Sequence, residues 1–334
     1  MNIKNAIQAV DTHTAGMSTR VIISGFPVLR GKTMMEKKNY FLSHYDHLRS
    51  ACMLEPRGHE NMFGALITEP CDPTCDYGML FMDAEGCLNM CGHGTIGVST
   101  ALVELGMVPV TEPYTNIRLE APAGPVDVMV KVENGRAEEV SFRNVPAFLY
   151  QEKAVVTVPQ LGDVTVDISF GGSFFALVRK EELRIEEIAP EHLSVIVPKA
   201  LELRKCINEQ IVVRHPEVPI EGVDLVEIYG PPKAPDADVQ NVVVFGHGEV
   251  DRSPCGTGTC AKIAALVKEG KLALETEFVH ESILGTKFRA RALQNAKVGE
   301  FDAIIPQITG SAYITGFNML LLDEQDPFKA GFVL

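Results

Sequence analysis

Two short segments place reactive side chains at matched spacing: Cys91-Gly92-His93-Gly94-Thr95 and Cys255-Gly256-Thr257-Gly258-Thr259. The shared pattern is C-G-x-G-T, repeated about half a chain length apart in a protein of 334 residues. A cysteine at the start of a helix meets unpaired backbone N–H groups and the positive end of the helix dipole. The glycine beside it lets backbone approach a ligand closely. That field lowers a thiol's pKa from ~8.5 toward neutrality. Two such helix starts facing one another would hold one carboxylate between them and put a sulfur on each face of the adjoining carbon. One thiolate then removes the α-proton, the opposite thiol delivers another, and the N–H groups hold the enediolate charge. The chemistry is inversion beside a carboxylate, and it needs no metal or organic cofactor. A five-residue pattern can recur by accident in a chain with 28 glycines; the half-length offset and the shared context argue against that.

The elements around the two copies are alike. A strand-like run precedes each, at residues 78–83 and 242–246, and a helical run follows each, at 94–105 before Gly106 and at 259–268 before Gly270. Further helices are predicted at 182–188 and 190–208. Strand signals recur from residues 21–24 to 313–317, and Asn134-Gly135 reads as a hairpin turn. The helix at 94–105 carries Ile96, Val98, Leu102, Val103 and Leu105 around most of its surface, with Glu104 its only charge. A helix apolar all round is buried on all sides, and in a strand-rich chain its natural container is a curved sheet. The fold class is therefore α+β, without regular βαβ alternation. It is expected to form two pseudo-symmetric halves, each a curved, mostly antiparallel sheet wrapped around a central buried helix. Residues 1–135 plus 318–334 form the first half, with Cys91. Residues 136–317 form the second, with Cys255, and the active site lies in the cleft between them.

Composition narrows the partners. Thirty Lys+Arg against 44 Asp+Glu leave a net charge of −14, which argues against nucleic-acid or anionic-membrane binding. No apolar run reaches the ~18–20 residues of a membrane span. The first residues show no basic stretch followed by an apolar one, so a cytoplasmic location is expected. There the eight cysteines remain thiols. Cys52 and Cys206 read as small buried hydrophobes. Cys71-x₃-Cys75 and Cys87-x₃-Cys91 are too loosely spaced for structural zinc, so no metal is expected. His13 and His59 read as ordinary hydrogen-bonding groups. Gly92-x-Gly94-x-x-Gly97 imitates a dinucleotide fingerprint, but no acidic residue ends a following strand ~20 residues on. A nucleotide-dependent oxidoreductase is thus a distant alternative. So is a non-catalytic amino-acid-binding protein, which has no use for two thiols.

The segments from Asn89 to Gly97 and from Asp251 to Thr259 resemble the two signature motifs of the proline racemase family. Asp11-Thr12-His13-Thr14-Ala15-Gly16, Leu54-Glu55-Pro56-Arg57-Gly58-His59, Phe170-Gly171-Gly172-Ser173-Phe174 and Ile314-Thr315-Gly316 extend the resemblance over essentially the whole chain. It implies a diaminopimelate-epimerase-like fold, a homodimer, and cofactor-free two-base catalysis with Cys91 and Cys255 as acid and base. It also implies that Gly92, His93, Gly256 and Thr257 supply N–H groups to the substrate carboxylate, and that Asp251 pairs with the ring ammonium. Dehydratases of the family carry Thr at the first thiol position, so Cys91 favours inversion. Phe63 and Phe245 match the aromatic pair that covers an unsubstituted ring. Two phenyl faces would strip water from a ring hydroxyl without replacing it. The implied substrate is therefore proline, with 4-hydroxyproline epimerisation as the alternative. Cys260 departs from the pattern, standing where Ser is expected. One turn past Cys255, it is either a spectator or an oxidation liability.

Overall fold

Strands and helices follow one another in an order that repeats. The computed structural model describes residues 3–333. The chain divides into two units, Met1–Phe142 with Gly310–Leu334, and Arg143–Thr309. The boundaries expected from sequence, 135/136 and 317/318, fall in a hairpin turn and inside a strand, respectively.

The first unit contains β1 (Ile3–Thr14), β2 (Met17–Ser24), α1 (Met34–Met53), β3 (Gly64–Thr68), β4 (Tyr77–Met82), β5 (Cys87–Leu88), α2 (Gly92–Glu104), β6 (Tyr114–Ala121), β7 (Gly124–Glu133) and β8 (Arg136–Arg143). The chain's last strand, β18 (Ala312–Asp323), joins it by pairing with β1. Two of its strand pairs are parallel: β2–β3, spanned by α1, and β4–β6, spanned by β5 and α2. The other pairs are antiparallel.

The second unit runs β9 (Ala147–Val158), β10 (Gly162–Phe170), β11 (Phe174–Arg179), α3 (Leu193–Gln210), β12 (Leu225–Gly230), β13 (Val239–Phe245), β14 (Glu249–Asp251), α4 (Gly256–Lys268), β15 (Phe278–Glu281), β16 (Lys287–Val298) and β17 (Phe301–Gly310). The parallel pairs are again two. They are β11–β12, spanned by α3, and β13–β15, spanned by β14 and α4. β17 pairs with β9, so the pairing runs from β9 through β10 to β13, on to β15, β16 and β17, and back to β9.

Each unit carries one partly exposed helix and one largely buried helix. α1 packs on β4 and β6, and α3 on β9, β12 and β13. α2 packs against β1, β2, β3, β7 and β18, and every residue from Gly92 to Val103 is buried. α4 packs against β9, β10, β11 and β16, and is buried from Thr259 through Ala265. The two largely buried helices, α2 and α4, end the same way. The N–H of Gly106 bonds Val103 O while that of Met107 bonds Leu102 O, and Gly270 and Lys271 repeat the pair on Val267 O and Leu266 O. This Schellman closure needs a left-handed residue after the helix, and Gly106 and Gly270 have φ of 64° and 71°.

The sequence misleads in two places. Residues 182–188 form turns and irregular chain, not a helix. Arg184 sits at φ 51°, and Glu182 and Arg184 donate to carbonyls three residues back. The apolar Leu183, Ile185 and Ile188 are buried in the second core, which a loop satisfies as well as a helix. Conversely α1, with 20 residues, has no counterpart in the expected elements. Its start carries a legible capping signal: Thr33 caps it and accepts the Glu36 N–H at 3.1 Å. Buried Lys37 and Arg49 blur the apolar periodicity.

Candidate active site

Each C-G-x-G-T segment is a helix start whose N-cap residue is the cysteine. In the first unit Cys91 caps α2, and its Sγ accepts the Gly94 N–H at 3.4 Å. In the second, Cys255 caps α4, and its Sγ accepts the Gly258 N–H at 3.4 Å. The threonine one turn on closes both caps alike. Thr95 Oγ1 donates to Cys91 O at 2.7 Å, and Thr259 Oγ1 lies 2.7 Å from Cys255 O. A thiol in this position satisfies one of the amides that every helix start leaves without an intrahelical carbonyl. The preceding amides, Gly92 and His93 in one helix and Gly256 and Thr257 in the other, open the helix where an anion is favoured.

The local construction explains why these starts hold their shape. Thr14, at the end of β1, donates to His93 O at 2.9 Å and ties the sheet to the first turn of α2. In the second unit a turn after β14 sets the cap. Asp251 Oδ1 accepts the N–H of Ser253 at 2.8 Å and its hydroxyl at 2.7 Å, and Ser253 Oγ accepts the Cys255 N–H at 3.1 Å. Asn241, on β13, donates to Pro254 O at 2.8 Å. Cys91 lies in ordinary extended backbone at φ −146° and ψ 129°, whereas Cys255 is held at φ 62° and ψ 112°. A non-glycine residue there is uncommon, and such strain collects at functional positions.

Neighbours of the two sulfurs differ. The His93 ring lies beside Cys91, with Nδ1 3.4 Å from Sγ, and Phe63 meets that ring edge-on with centroids 4.5 Å apart. Beside Cys255 the corresponding neighbour is the Thr257 hydroxyl, 3.6 Å from Sγ. Both thiols are nearly buried. The expected lowering of thiol pKa does not hold at Cys255. Burial raises it well above the ordinary value, the Asp251 charge adds to the rise, and the Gly258 N–H and Thr257 hydroxyl only oppose it. A few oriented dipoles do not offset the loss of water around a charged sulfur.

Among the expected site residues, Cys91, Gly92, His93 and Phe63 gather at the start of α2, and all four are buried. Cys255, Gly256, Thr257 and Asp251 gather at the start of α4. Phe245 ends β13, opposite Glu249 in the β13–β14 hairpin, and is half-buried. Cys260 is fully buried, accepts an Asn144 amide hydrogen at 3.3 Å, and has its thiol pushed up to about 12 by burial. Such a thiol is inert, so Cys260 is a packing residue. Sequence reasoning missed Glu227 and His280, buried on strands β12 and β15, and Lys262, buried on α4. The legible signs were a lone carboxylate in the apolar strand LVEIYG and a lone cation in the first turns of GTGTCAKIAALVK. Among the described residues no group of His, Cys, Asp and Glu is arranged to hold a metal ion.

Comparison with known proteins places the chain. The family described as proline racemase matches residues 9–333. A proline racemase from Clostridioides difficile is 52% identical over 100% of both chains. A 4-hydroxyproline 2-epimerase from Streptosporangium roseum is 44% identical over 100% of both. A crystal structure of a hydroxyproline epimerase from Agrobacterium vitis, with bound trans-4-hydroxy-L-proline, superposes with a TM-score of 0.93. It is 32% identical, and the match covers 100% of this chain and 96% of that one.

Proposed function

The chain belongs to the proline racemase family, and on that premise we propose that it interconverts L- and D-proline by two-base proton transfer between Cys91 and Cys255. It is an isomerase. One thiolate takes the Cα proton while the other thiol, on the opposite face, gives one. The amides of Gly92, His93, Gly256 and Thr257 clasp the carboxylate and take up the enediolate charge. Asp251 receives the ring ammonium. That cation, and the charge relay between the two sulfurs, supply what the buried Cys255 lacks for ionisation.

A single observation carries this reading: two glycine-rich helices each begin on a buried cysteine whose sulfur accepts an N–H from the third residue on, at the same 3.4 Å. The aromatic residues Phe63 and Phe245 favour an unsubstituted ring over 4-hydroxyproline. In the same reading each unit's sheet wraps around its inner helix, and residues 1–135 with 318–334 and 136–317 act as the halves that bring one thiol each. A second copy of the chain completes the particle. The outward row Tyr313, Phe317, Met319 and Leu321 on β18 supports this, because so much exposed apolar surface on one strand is unusual for a monomer. Eight cysteines held as thiols, with no disulfide among the described residues, suit a reducing cytoplasm.

Chiral chromatography of L-proline, trans-4-hydroxy-L-proline and trans-3-hydroxy-L-proline after incubation with the protein tests the proposal. D-Proline is expected to form fastest. Faster epimerisation of trans-4-hydroxy-L-proline would transfer the protein to the epimerase branch of the family.

A further inference from the structure

Beneath the first turn of α4 lies a polar cluster that two-base transfer does not use. Glu227 on β12, His280 on β15 and Thr259 on α4 are fully buried. A side-chain carbon added at Gly258 would lie 2.7 Å from Glu227 Oε2, so the carboxyl presses on the residue whose N–H holds Cys255 Sγ. Among the described residues neither Glu227 oxygen, nor His280 Nε2, meets a hydrogen-bond partner at ordinary geometry, and of the groups that bear on the carboxyl, Lys262 and the Asn241 side chain favour its charged form while burial opposes it.

Counting hydrogens fixes the protonation of this cluster. Thr259 Oγ1 has one hydrogen and three close neighbours: Cys255 O at 2.7 Å, His280 Nδ1 at 2.9 Å and Pro254 O at 3.3 Å. Carbonyl oxygens only accept, so the hydroxyl hydrogen goes to Cys255 O, as that of Thr95 goes to Cys91 O. Nδ1 of His280 must then be the donor to Thr259, which leaves Nε2 as a bare lone pair. That lone pair faces Glu227 Oε1 at 3.7 Å. A carboxylate there would set two acceptors against each other out of water, an arrangement that is costly unless a proton lies between them. Lys262 does not resolve this. Its ammonium sits over the Tyr229 ring, 3.0 Å from the centroid, and draws the pKa of the Glu227 carboxyl down, an influence that burial outweighs.

We propose that Glu227 is a positioning residue held as a neutral carboxylic acid, its O–H directed at His280 Nε2, and that its neutrality lets the Gly258 amide stabilise charge on Cys255. Loss of the Glu227 proton would place a negative charge behind that amide and suppress ionisation of the thiol. Other charged groups bear on the cluster from each side. Lys262 comes from α4 and is influenced by Asp167 and Glu269, Tyr229 and its neighbour Arg179 come from the sheet, and Asp251 bears on Cys255 from the β14 turn. Burial pushes the Glu227 carboxyl strongly up and the His280 imidazole down to about 3, in keeping with an acid facing a neutral ring.

This inference rests on Cys255 being one of the two proton-transfer groups, so its test reads ionisation and not turnover. In the intact protein, the alkylation rate of Cys255 by iodoacetamide is followed against pH by peptide mass mapping, with Cys91 as the internal reference. Glu227→Gln keeps the shape and an N–H donor but cannot ionise. Because Gln reproduces a neutral side chain, the variant is expected to leave the alkylation rates of both Cys255 and Cys91 at about pH 6–7 unchanged within about twofold, and to raise that of Cys255 only at the higher pH where Glu227 loses its proton. A Cys255 rate about tenfold faster in the variant already at about pH 6–7 would show that Glu227 is charged there and overturns the proposal. Infrared spectra of the unmodified protein in D₂O need no variant. A protonated carboxylic acid band that persists at pH 7 supports the assignment, and its absence overturns it.

Discussion

Behind Gly94 lies the ring of Phe81, 2.7 Å from where a side chain would begin; behind Gly258, at the same distance, lies the carboxyl of Glu227. The two helix starts otherwise share a cysteine N-cap, a 3.4 Å bond from glycine N–H to sulfur, a threonine closing the cap and a Schellman end. The repeat thus preserves the hydrogen bonds by which a thiol caps each helix and changes the cysteine's own backbone and the medium around it. Cys91 has an imidazole beside it and an aromatic floor. Cys255 has a hydroxyl beside it, a carboxyl beneath it and a left-handed backbone. Delivery of the sulfur needs geometry alone, whereas setting its proton affinity needs charges and burial. The two tasks are therefore separable: the cap hydrogen bonds match in the two copies, whereas the surroundings of the sulfurs diverge.

Removal of either sulfur breaks the comparison most severely. Cys91→Ser and Cys255→Ser are each expected to lower kcat/KM by about 10³-fold or more in both directions, because each sulfur acts once per inversion and acid–base groups contribute on that scale. Polarimetry checks this, and near-full activity in either variant removes that residue from the mechanism. Substitutions at the floors sharpen the contrast. Gly94→Ala is expected to cost about 1–3 kcal/mol in urea unfolding, since the added methyl meets a packed ring. Gly258→Ala should cost less, because the far end of a glutamate side chain can rotate away; an equal or larger cost would show Glu227 to be as fixed as Phe81. Phe63→Val, which opens the wall beside His93, should raise the preference for trans-4-hydroxy-L-proline over L-proline about tenfold in relative kcat/KM. An unchanged ratio would mean that this wall does not select the ring.

The smallest effect is in stability against pH. Burial raises the Glu227 pKa in the folded protein, so its contribution is fully present below the ordinary carboxylate range and is lost as pH rises above it. His280, lowered to about 3, acts oppositely: its contribution is present above pH ~6.5 and is lost as pH falls toward 3. Comparison of the unmodified protein with Glu227→Gln cancels the histidine. The unmodified protein should lose stability relative to the variant as pH rises from 5 to 8, and parallel curves would contradict an unusually protonated carboxyl.

The candidate site residues stood out because they carry a local signature. Cys-Gly at a helix start, repeated with a closing glycine, is a short pattern whose physics does not depend on distant chain. The strands were legible in their centres for the same reason, and Asn134-Gly135 turns β7 into β8 with both residues at positive φ. α1 was lost because Lys37 and Arg49 lie on its buried side, where tertiary partners such as Glu69 O and Asp83 O accept them. The helix expected at 182–188 failed because its apolar residues could be buried without helical pairing. Glu227 and His280 meet only when β12 and β15 are both laid against β13. No window of sequence contains both, and the direction of the Cys255 pKa is set first by burial, which no window of sequence shows either.

The central claim is that two different groups handle the Cα hydrogen, one on each face. Racemisation of L-proline in D₂O, stopped at early conversion and read by mass spectrometry of the separated enantiomers, tests it directly. The account predicts D-proline carrying deuterium at Cα and recovered L-proline that still carries protium. Protium retained in the D-proline, or deuterium entering the recovered L-proline as fast as inversion proceeds, would mean that a single group serves both faces and would contradict it.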